Sequence, residues 1–521
     1  MHKESALKFI IKHQEILTPI FAAIAMILAG AIMFSAWIFI LRPEPIGNFL
    51  PLQNTAAYFE ISIDSQNPQV IEFLKMTRGH PFFAKERLIQ QVKDFTQMDF
   101  DENIAPWLGN NIGLGLVVLE NQSLRTEPIV FIENKSRDKT KEFLQKLAIK
   151  FKNDYLQENE YKNHEIYSYR FSQDFAFSFM GRYLVAAQTI KSMEKFIDAI
   201  SENFTPISSN RNYFDLNLSD GYINLPLLSQ VLTGNSALPE TQRYFFLAFE
   251  PFIRIFKHSF IQLEAKSGYL SLKTTTLLQS KFEKNNKKYT ASLAQYFPSN
   301  IKLFYGGMDL SRQLDNYGRM IGEDGAQFKK SIKEITDSNL GKLFGSAITF
   351  EKDIYPLLTE EYAIGVTAED DMFAALKLKD PAAIEQKLKT MMIFLKKSPG
   401  FANTEKQILQ FEESHRSFNI FGLKQEGAAS GIYYSIVNGA ALMSSSEKAI
   451  QNAIDVFLDG KNGFLASALI KNADEIFYIA ADKYFETLSR FSEYLKPIKA
   501  VIAARNYDEF YVKTIYYILV E

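Results

Sequence analysis

The chain has 521 residues, 47% of them apolar and 14% aromatic, with 45 phenylalanines, a composition that fits a globular protein with more than one core. A formal charge of −2 excludes the electrostatic footprint of a nucleic-acid or acidic-polymer binder. Cysteine is absent, which excludes disulfides, thiolate metal sites and cysteine nucleophiles.

Ile16 to Leu41 runs without a charge, longer than the ~20 residues a helix needs to cross the hydrocarbon core. Lys3, Lys8 and Lys12 precede it, and only Arg42 follows closely, offset by Glu44. That bias puts the amino terminus in the cytoplasm and the bulk of the chain outside. No small-x-small cleavage signal follows, so the segment reads as an uncleaved signal-anchor. The resulting division is a cytoplasmic tail over 1–15, a transmembrane helix over 16–41 and a short stiff linker over 42–49 with Pro43 and Pro45.

The next segments alternate between strand and helix signals. Thr55 to Ile63 is rich in β-formers, and Asn67 to Gln97 is amphipathic with a break at Gly79-His80-Pro81. Strands are predicted over Ile112–Leu119 and Glu127–Glu133, then a helix from Ser136 to about Lys152 with an apolar face of Phe143, Leu144, Leu147 and Phe151. Three short strands follow at His164–Phe171, Phe175–Met180 and Tyr183–Ala187, and a helix runs from Ile190 to about Ser201. Gly221–Leu225 reads as a strand and Leu227–Lys257 as mostly helix, loaded with Tyr244, Phe245, Phe246, Phe249, Phe252 and Phe256. A hairpin over Ser259–Ala265 and Tyr269–Leu278 closes this part. Lys281 to Lys288 has no apolar period and is the boundary candidate.

The same order can be traced again beyond it. FDENIAPWLGNNIGLG, Phe100 to Gly115, returns without a gap as FEKDIYPLLTEEYAIG, Phe350 to Gly365. Tyr296-Phe297-Pro298 matches Phe49-Leu50-Pro51, Met372–Leu378 with a helix from Pro381 parallels Pro128–Ile132 with the Ser136 helix, and Ser444–Asp455 parallels Thr189–Ala199. The expectation is therefore an α+β fold of mainly antiparallel sheet, in which one unit over 50–280 is repeated over 297–521 after a linker at 281–296.

Three short motifs carry a resemblance. Leu50-Pro51 leading into the Ala56-Ala57-Tyr58 strand, the Pro106-Trp107-Leu108-Gly109 segment, and the Tyr183–Ala187 strand before a capped helix resemble a bacterial family of single-pass, extracytoplasmic proteins. Its domain has no assigned function, so the resemblance implies location and architecture and no catalytic residue. It is fainter over 297–521, where Leu357 and Thr359 replace Trp107 and Gly109.

Candidate chemistry is sparse. Ser192-x-x-Lys195, Ser219-Asp220-Gly221 and Lys273-Thr274-Thr275 stand in the order used by penicillin-binding enzymes, but Thr275 occupies the place of the required Gly and the intervals are short. Ser445-x-x-Lys448 recurs at a helix start, where Ser444 and Glu447 have capping-box spacing. Gly109, Gly113 and Gly115 lead into a strand rather than a helix, which suits close packing, not a phosphate loop. The six histidines are scattered, and Glu369-Asp370-Asp371 lacks the spaced oxygens of a calcium loop. No catalytic, cofactor or metal residue is assigned. The functional expectation is a non-enzymatic, membrane-anchored envelope protein with an interaction or scaffold ectodomain, its partners the bilayer through Ile16–Leu41 and an envelope protein or hydrophobic ligand. The alternatives are a carrier of a lipid or other hydrophobic ligand, using Phe-rich segments such as Phe175, Phe177 and Phe179, which are expected on one side of a strand, and a serine acyl-transfer enzyme.

Overall fold

The computed structural model describes residues 45–520 except 78–84, 121–124, 151–155, 170–171, 202–203, 208–216, 235–252, 285–286, 288, 323–329, 331–332, 335–336, 339–348, 398–407, 429, 461–472 and 482–497. Among the described residues no helix is long and apolar enough to cross a membrane. The run Ile16–Leu41 lies outside them, as do Tyr244, Phe245, Phe246, Phe249 and Phe252.

The described chain is α+β and centres on one antiparallel sheet of twenty strands. Its first part comprises β1 (Thr55–Ser62), α1 (Pro68–Met76), α2 (Lys85–Thr96), α3 (Phe100–Asn103), β2 (Leu108–Glu120), β3 (Arg125–Asn134), α4 (Arg137–Lys150), β4 (Leu156–Tyr161), β5 (His164–Tyr169), β6 (Ser172–Met180), β7 (Tyr183–Thr189), α5 (Ile190–Ser201), β8 (Ser219–Ile223), α6 (Leu225–Gly234), β9 (Phe256–Lys266) and β10 (Tyr269–Leu278). The second comprises β11 (Leu303–Met308), α7 (Leu310–Ile321), β12 (Glu361–Val366), β13 (Met372–Lys377), α8 (Pro381–Lys397), β14 (Ile408–His415), β15 (Phe418–Gln425), β16 (Gly431–Val437), β17 (Ala440–Ser444), α9 (Glu447–Asp459), β18 (Glu475–Ala480), β19 (Ile498–Tyr507) and β20 (Tyr511–Val520).

Pairing orders the first ten strands as β4-β5-β6-β7-β3-β2-β1-β8-β9-β10. The second ten run β14-β15-β16-β17-β13-β12-β11-β18-β19-β20, the same order position for position. The two sets join edge to edge through β10 and β20, with Lys273 opposite Ile515 in mid-seam and Thr274 opposite Thr514 beside it. A strand edge presents unpaired backbone groups, and this seam satisfies one edge of each set with the other.

Residues paired in register share a face, so each face can be followed across strands. One face carries Tyr58, Ile129 and Phe131 under α5 (Met193, Phe196, Ile197) in the first set, and Phe304, Phe373 and Leu442 under α9 (Ile450, Ile454) in the second. The opposite face is covered by α4 over Trp107, Leu184 and Phe177, and by α8 over Leu423, Tyr434 and Ala441. Helix α1 packs there on Leu263 and Ala265, and α7 packs on Tyr507 and Val512.

Several expectations change at the level of residues. Strand β4, LQENEY, escapes sequence reading because its four central residues are exposed and it shows no apolar alternation. Phe175 does not share a side with Phe177 and Phe179: it sits at positive φ (68°) in a bulge where the β5–β6 register slips, and it is exposed. Phe256 and Lys257 begin β9 instead of ending a helix. The segment 42–49 is more than a tether, since Ile46–Phe49 forms a 3-10 turn with Ile46 buried in the first core. Likewise, within 281–296, Phe282 stacks on Tyr507 with ring centroids 4.4 Å apart, and Ser292–Tyr296 forms a 3-10 turn in the second core.

Candidate functional site

The two halves agree in strand order and differ most sharply in one place. Gly115 pairs with Tyr58 and Tyr58 with Tyr222, while Gly365 pairs with Phe304 and Phe304 with Tyr478. Carried one strand further, the register sets Ser219 opposite Leu263 in the first half and Glu475 opposite Arg505 in the second. The adjoining backbone bonds match as well: Leu218 N–H donates to Leu263 O at 2.9 Å, and Asp474 N–H to Arg505 O at 2.8 Å. Where the first half has Leu218, Ser219, Leu263 and Ala265, the second has Asp474, Glu475, Arg505 and Tyr507.

Glu475 is 2% exposed, and its Oε2 accepts from Arg505 Nη1 at 3.2 Å and from the Tyr507 hydroxyl at 3.1 Å. Arg505 Nη1 also reaches the Tyr507 hydroxyl at 3.3 Å, and Tyr507 shares a 3.0 Å bond with the Tyr317 hydroxyl of α7. Burial pushes the Glu475 carboxyl above its ordinary range, although the Arg505 charge pulls the other way. Burial likewise raises Asp474, whose Oδ2 accepts Tyr507 N–H at 2.8 Å. Gly307 makes room for this cluster: a Cβ there would stand 2.8 Å from the Tyr362 hydroxyl and 3.2 Å from Glu475 Cγ. Beside the network, a cleft of about 20 Å³ is lined by Asp309, Arg312, Gln313, Asn316, Asp474 and Tyr507, room for a single water.

The residues singled out by sequence for acyl transfer are otherwise engaged. Ser192 is buried at the start of α5, where its N–H donates to Thr189 Oγ1 at 3.0 Å and its Oγ lies 2.8 Å from the same atom. Lys273 is paired with Glu264 on the neighbouring strand. In the second half Ser444 Oγ accepts Ser446 N–H at 3.1 Å and donates to Met372 O at 2.8 Å, which departs from the expected capping box with Glu447. A Cβ on Gly109, Gly113 or Gly115 would meet Glu133, Ile46 or Leu50 within 3.0 Å, so these glycines serve close packing. Asp370 pairs with Lys302 at 2.6 Å in the β12–β13 turn. Among the described residues no three His, Asp or Glu side chains are grouped to hold a metal ion.

The Glu475–Arg505 network was not picked out by sequence reading. Its signal is a charge inside each of two largely apolar strands, Glu475 in EIFYIA and Arg505 in IKAVIAARNY, the latter also carrying Lys499 near its start. A charge on a covered strand face needs a partner.

An antiparallel α+β sheet protein with a buried charged network in its second half is the class these observations define. A family model described as a protein of unknown function (DUF3352) matches residues 21–409, and the chain belongs to that family. No curated protein matches. Among solved structures the chain is similar to crystal form III of TP0453 (10% identity, TM-score 0.24, 48% of this chain and 83% of that one) and to crystal form I (12%, 0.24, 47% and 82%). Likeness at that TM-score carries no argument.

Proposed function

We propose that this is a non-enzymatic, membrane-anchored envelope protein whose sheet lies outside the cytoplasm as an interaction module built from one unit twice. The observation that carries it is the uncharged run Ile16–Leu41, which ends five residues before Ile46 enters the first core. Duplication is supported by the matching strand orders and by paired details. The Tyr161 hydroxyl and Lys162 Nζ contact Asp198 at 2.9 and 2.7 Å, and His415 Nε2 and Arg416 Nε contact Asp455 at 2.9 and 3.1 Å, each from a turn with two residues at positive φ. The engagement of Ser192 by Thr189 and of Lys273 by Glu264 supports a non-enzymatic reading over acyl transfer.

Protease added to intact spheroplasts tests the topology. The reading expects degradation of everything beyond about residue 48, and a protected sheet domain would overturn it.

A second reading, binding of a hydrophobic ligand, is favoured by one observation. Phe59 and Ile61 on β1 and Leu114 on β2 share a sheet face and are 44%, 42% and 44% exposed. Large apolar side chains in the middle of a sheet are normally covered, and an exposed group of them suits a ligand or partner.

A further inference from the structure

Each half ends in a hairpin whose last strand is its inner edge, and the two inner edges are equivalent. The register that matches Tyr58 with Phe304 and Tyr222 with Tyr478 continues to Phe260 with Ile502 and to Thr275 with Tyr517, so Lys273 answers to Ile515. Lys273 also stands opposite Ile515 across the seam. Two units can join through like edges or head to tail through unlike ones. Antiparallel pairing of like edges is isologous: every contact is made twice about a two-fold axis. Here the axis passes through the Lys273–Ile515 pair, and Tyr269 opposite Leu519 and Leu277 opposite Tyr511 are one contact made twice.

Strand β10 carries the same complementarity by itself. Against a second β10 met at this centre, Tyr269 would again face Leu277 at both ends of the ladder. Only the centre differs. There Lys273 would face another Lys273 with Cβ atoms about 5 Å apart, a like-charge pair that destabilises, whereas Ile515 brings no charge and leaves Lys273 to Glu264 on β9. From this we infer that the β10 edge is a self-pairing interface whose fitting partner is a second copy of the same unit, a place that the second half fills in this chain. Lys273 directs the edge to Ile515 and away from the β10 of another molecule. The inference deepens the duplication proposed above and rests on it.

Charge separates the inner edges from the outer ones. Strands β10 and β20 hold one charged residue each, Lys273 and Lys513, and are otherwise apolar or hydroxyl-bearing. The outer edges are acidic: β4 holds Glu158 and Glu160, and β14 holds Glu412 and Glu413. Like charges on facing strands oppose pairing of one outer edge with another. Pairing therefore stops at two units, because the isologous contact occupies both inner edges and the outer edges repel their like.

The chain has no cysteine, so introduced thiols report alone. In the full-length chain in detergent, Leu270→Cys with Ile518→Cys and Thr276→Cys with Val512→Cys, two pairs exchanged by the axis, should each form an intramolecular disulfide in air. Leu270→Cys with Tyr516→Cys, two residues out of register, should form about tenfold less. Thr514→Pro then opens the seam and offers β10 to a second molecule. In that background a single Lys273→Cys should give a disulfide-linked dimer, and a single Thr276→Cys, which would face Leu270, about tenfold less. Lys273→Ile should tighten the non-covalent dimer of the Thr514→Pro chain about threefold, the size of one relieved like-charge pair. If the Thr514→Pro chain does not fold, Ile515→Lys in the intact chain puts two lysines at the centre; it should lower the denaturation midpoint, and adding Lys273→Ile should recover most of the loss. Linkage at one end of the seam only, equal linkage of the shifted pair, equal linkage through positions 273 and 276, a Thr514→Pro/Lys273→Ile chain that stays monomeric, or no recovery by Lys273→Ile would each overturn the assignment. Any of these in a chain still cut by external protease counts against this assignment alone; a protected sheet domain with the expected cross-links counts against the membrane reading alone.

Discussion

Gly115 and Gly365 keep the same space open in the two halves. A Cβ on Gly115 would lie 3.0 Å from Leu50 Cδ2, and one on Gly365 would lie 2.6 Å from Ile301 Cδ1, 2.7 Å from Leu303 O and 2.9 Å from Phe297 Cε1. Leu50 and Phe297 each follow a 3-10 turn, Ile46–Phe49 and Ser292–Tyr296, that lies against the strand carrying the glycine. The surroundings differ in one respect that sets the outcome of substitution. Leu50 is a side-chain tip that can turn aside, whereas Leu303 O is backbone in β11 and cannot.

Gly365→Ala is therefore expected to destabilise by about 1–3 kcal/mol, the range for overpacking a close-packed site. Gly115→Ala should cost clearly less. Urea denaturation of the two variants beside the parent checks the order; an equal or reversed cost would mean that β12 gives way where the geometry says it cannot.

The paired contacts to Asp198 and Asp455 lead to a second expectation. Both carboxylates are substantially exposed, so each contact belongs with surface ion pairs worth about 0.2–1 kcal/mol. Asp198→Asn and Asp455→Asn should each shift the denaturation midpoint slightly and by similar amounts. The Lys162 partner holds the Asp198 carboxyl below its ordinary value. Its contribution is thus present above the unfolded-state pKa and fades as pH falls through the depressed folded one. A midpoint difference between parent and Asp198→Asn that persists unchanged into strong acid would contradict this.

Much of the sheet was legible because its strands alternate. TAAYFEIS, the Ser259–Leu278 hairpin and the Asn67 helix start all announce themselves by period, turn or cap, and Asn67 does accept Gln69 N–H at 2.8 Å. What was not legible depends on partners far away in sequence. Nothing local in LQENEY marks an edge strand, since an edge held by one neighbour needs no apolar face. The Glu475–Arg505 site was hidden for a related reason: each residue alone looks like a flaw in a core strand, and only the β18–β19 register makes them a pair.

A third expectation concerns pH. Burial raises the folded-state pKa of both Asp474 and Glu475. The unfolded chain releases these protons first as pH rises, so the native state holds more of them in the window between the unfolded values and the raised ones. Stability contributed by the protonated forms is then complete below the unfolded pKa and is lost as pH rises through the folded one. Asp474→Asn keeps an acceptor for Tyr507 N–H and removes one of the two titrations, so its stability should fall less steeply from about pH 4 to pH 7 than the parent's. Parallel curves would show that Asp474 titrates normally in the folded chain.

The last expectation concerns the seam. Because β10 pairs with β20 along nine residues, from Tyr269 opposite Leu519 to Leu277 opposite Tyr511, the cores on either side share one continuous ladder. They should unfold together, with calorimetric and van't Hoff enthalpies in agreement. Thr514 stands in the interior of that ladder, paired with Thr274 on one side and Arg505 on the other, and is 4% exposed. Proline at such a position removes a donor from the ladder of a central strand, a place where proline is essentially not found. Thr514→Pro should therefore break the shared ladder and separate the melt into two transitions, the second half unfolding first because β19 and β20 belong to it. A single transition, merely shifted to lower temperature, would mean that packing between the halves outside the ladder couples them as strongly as the strands do.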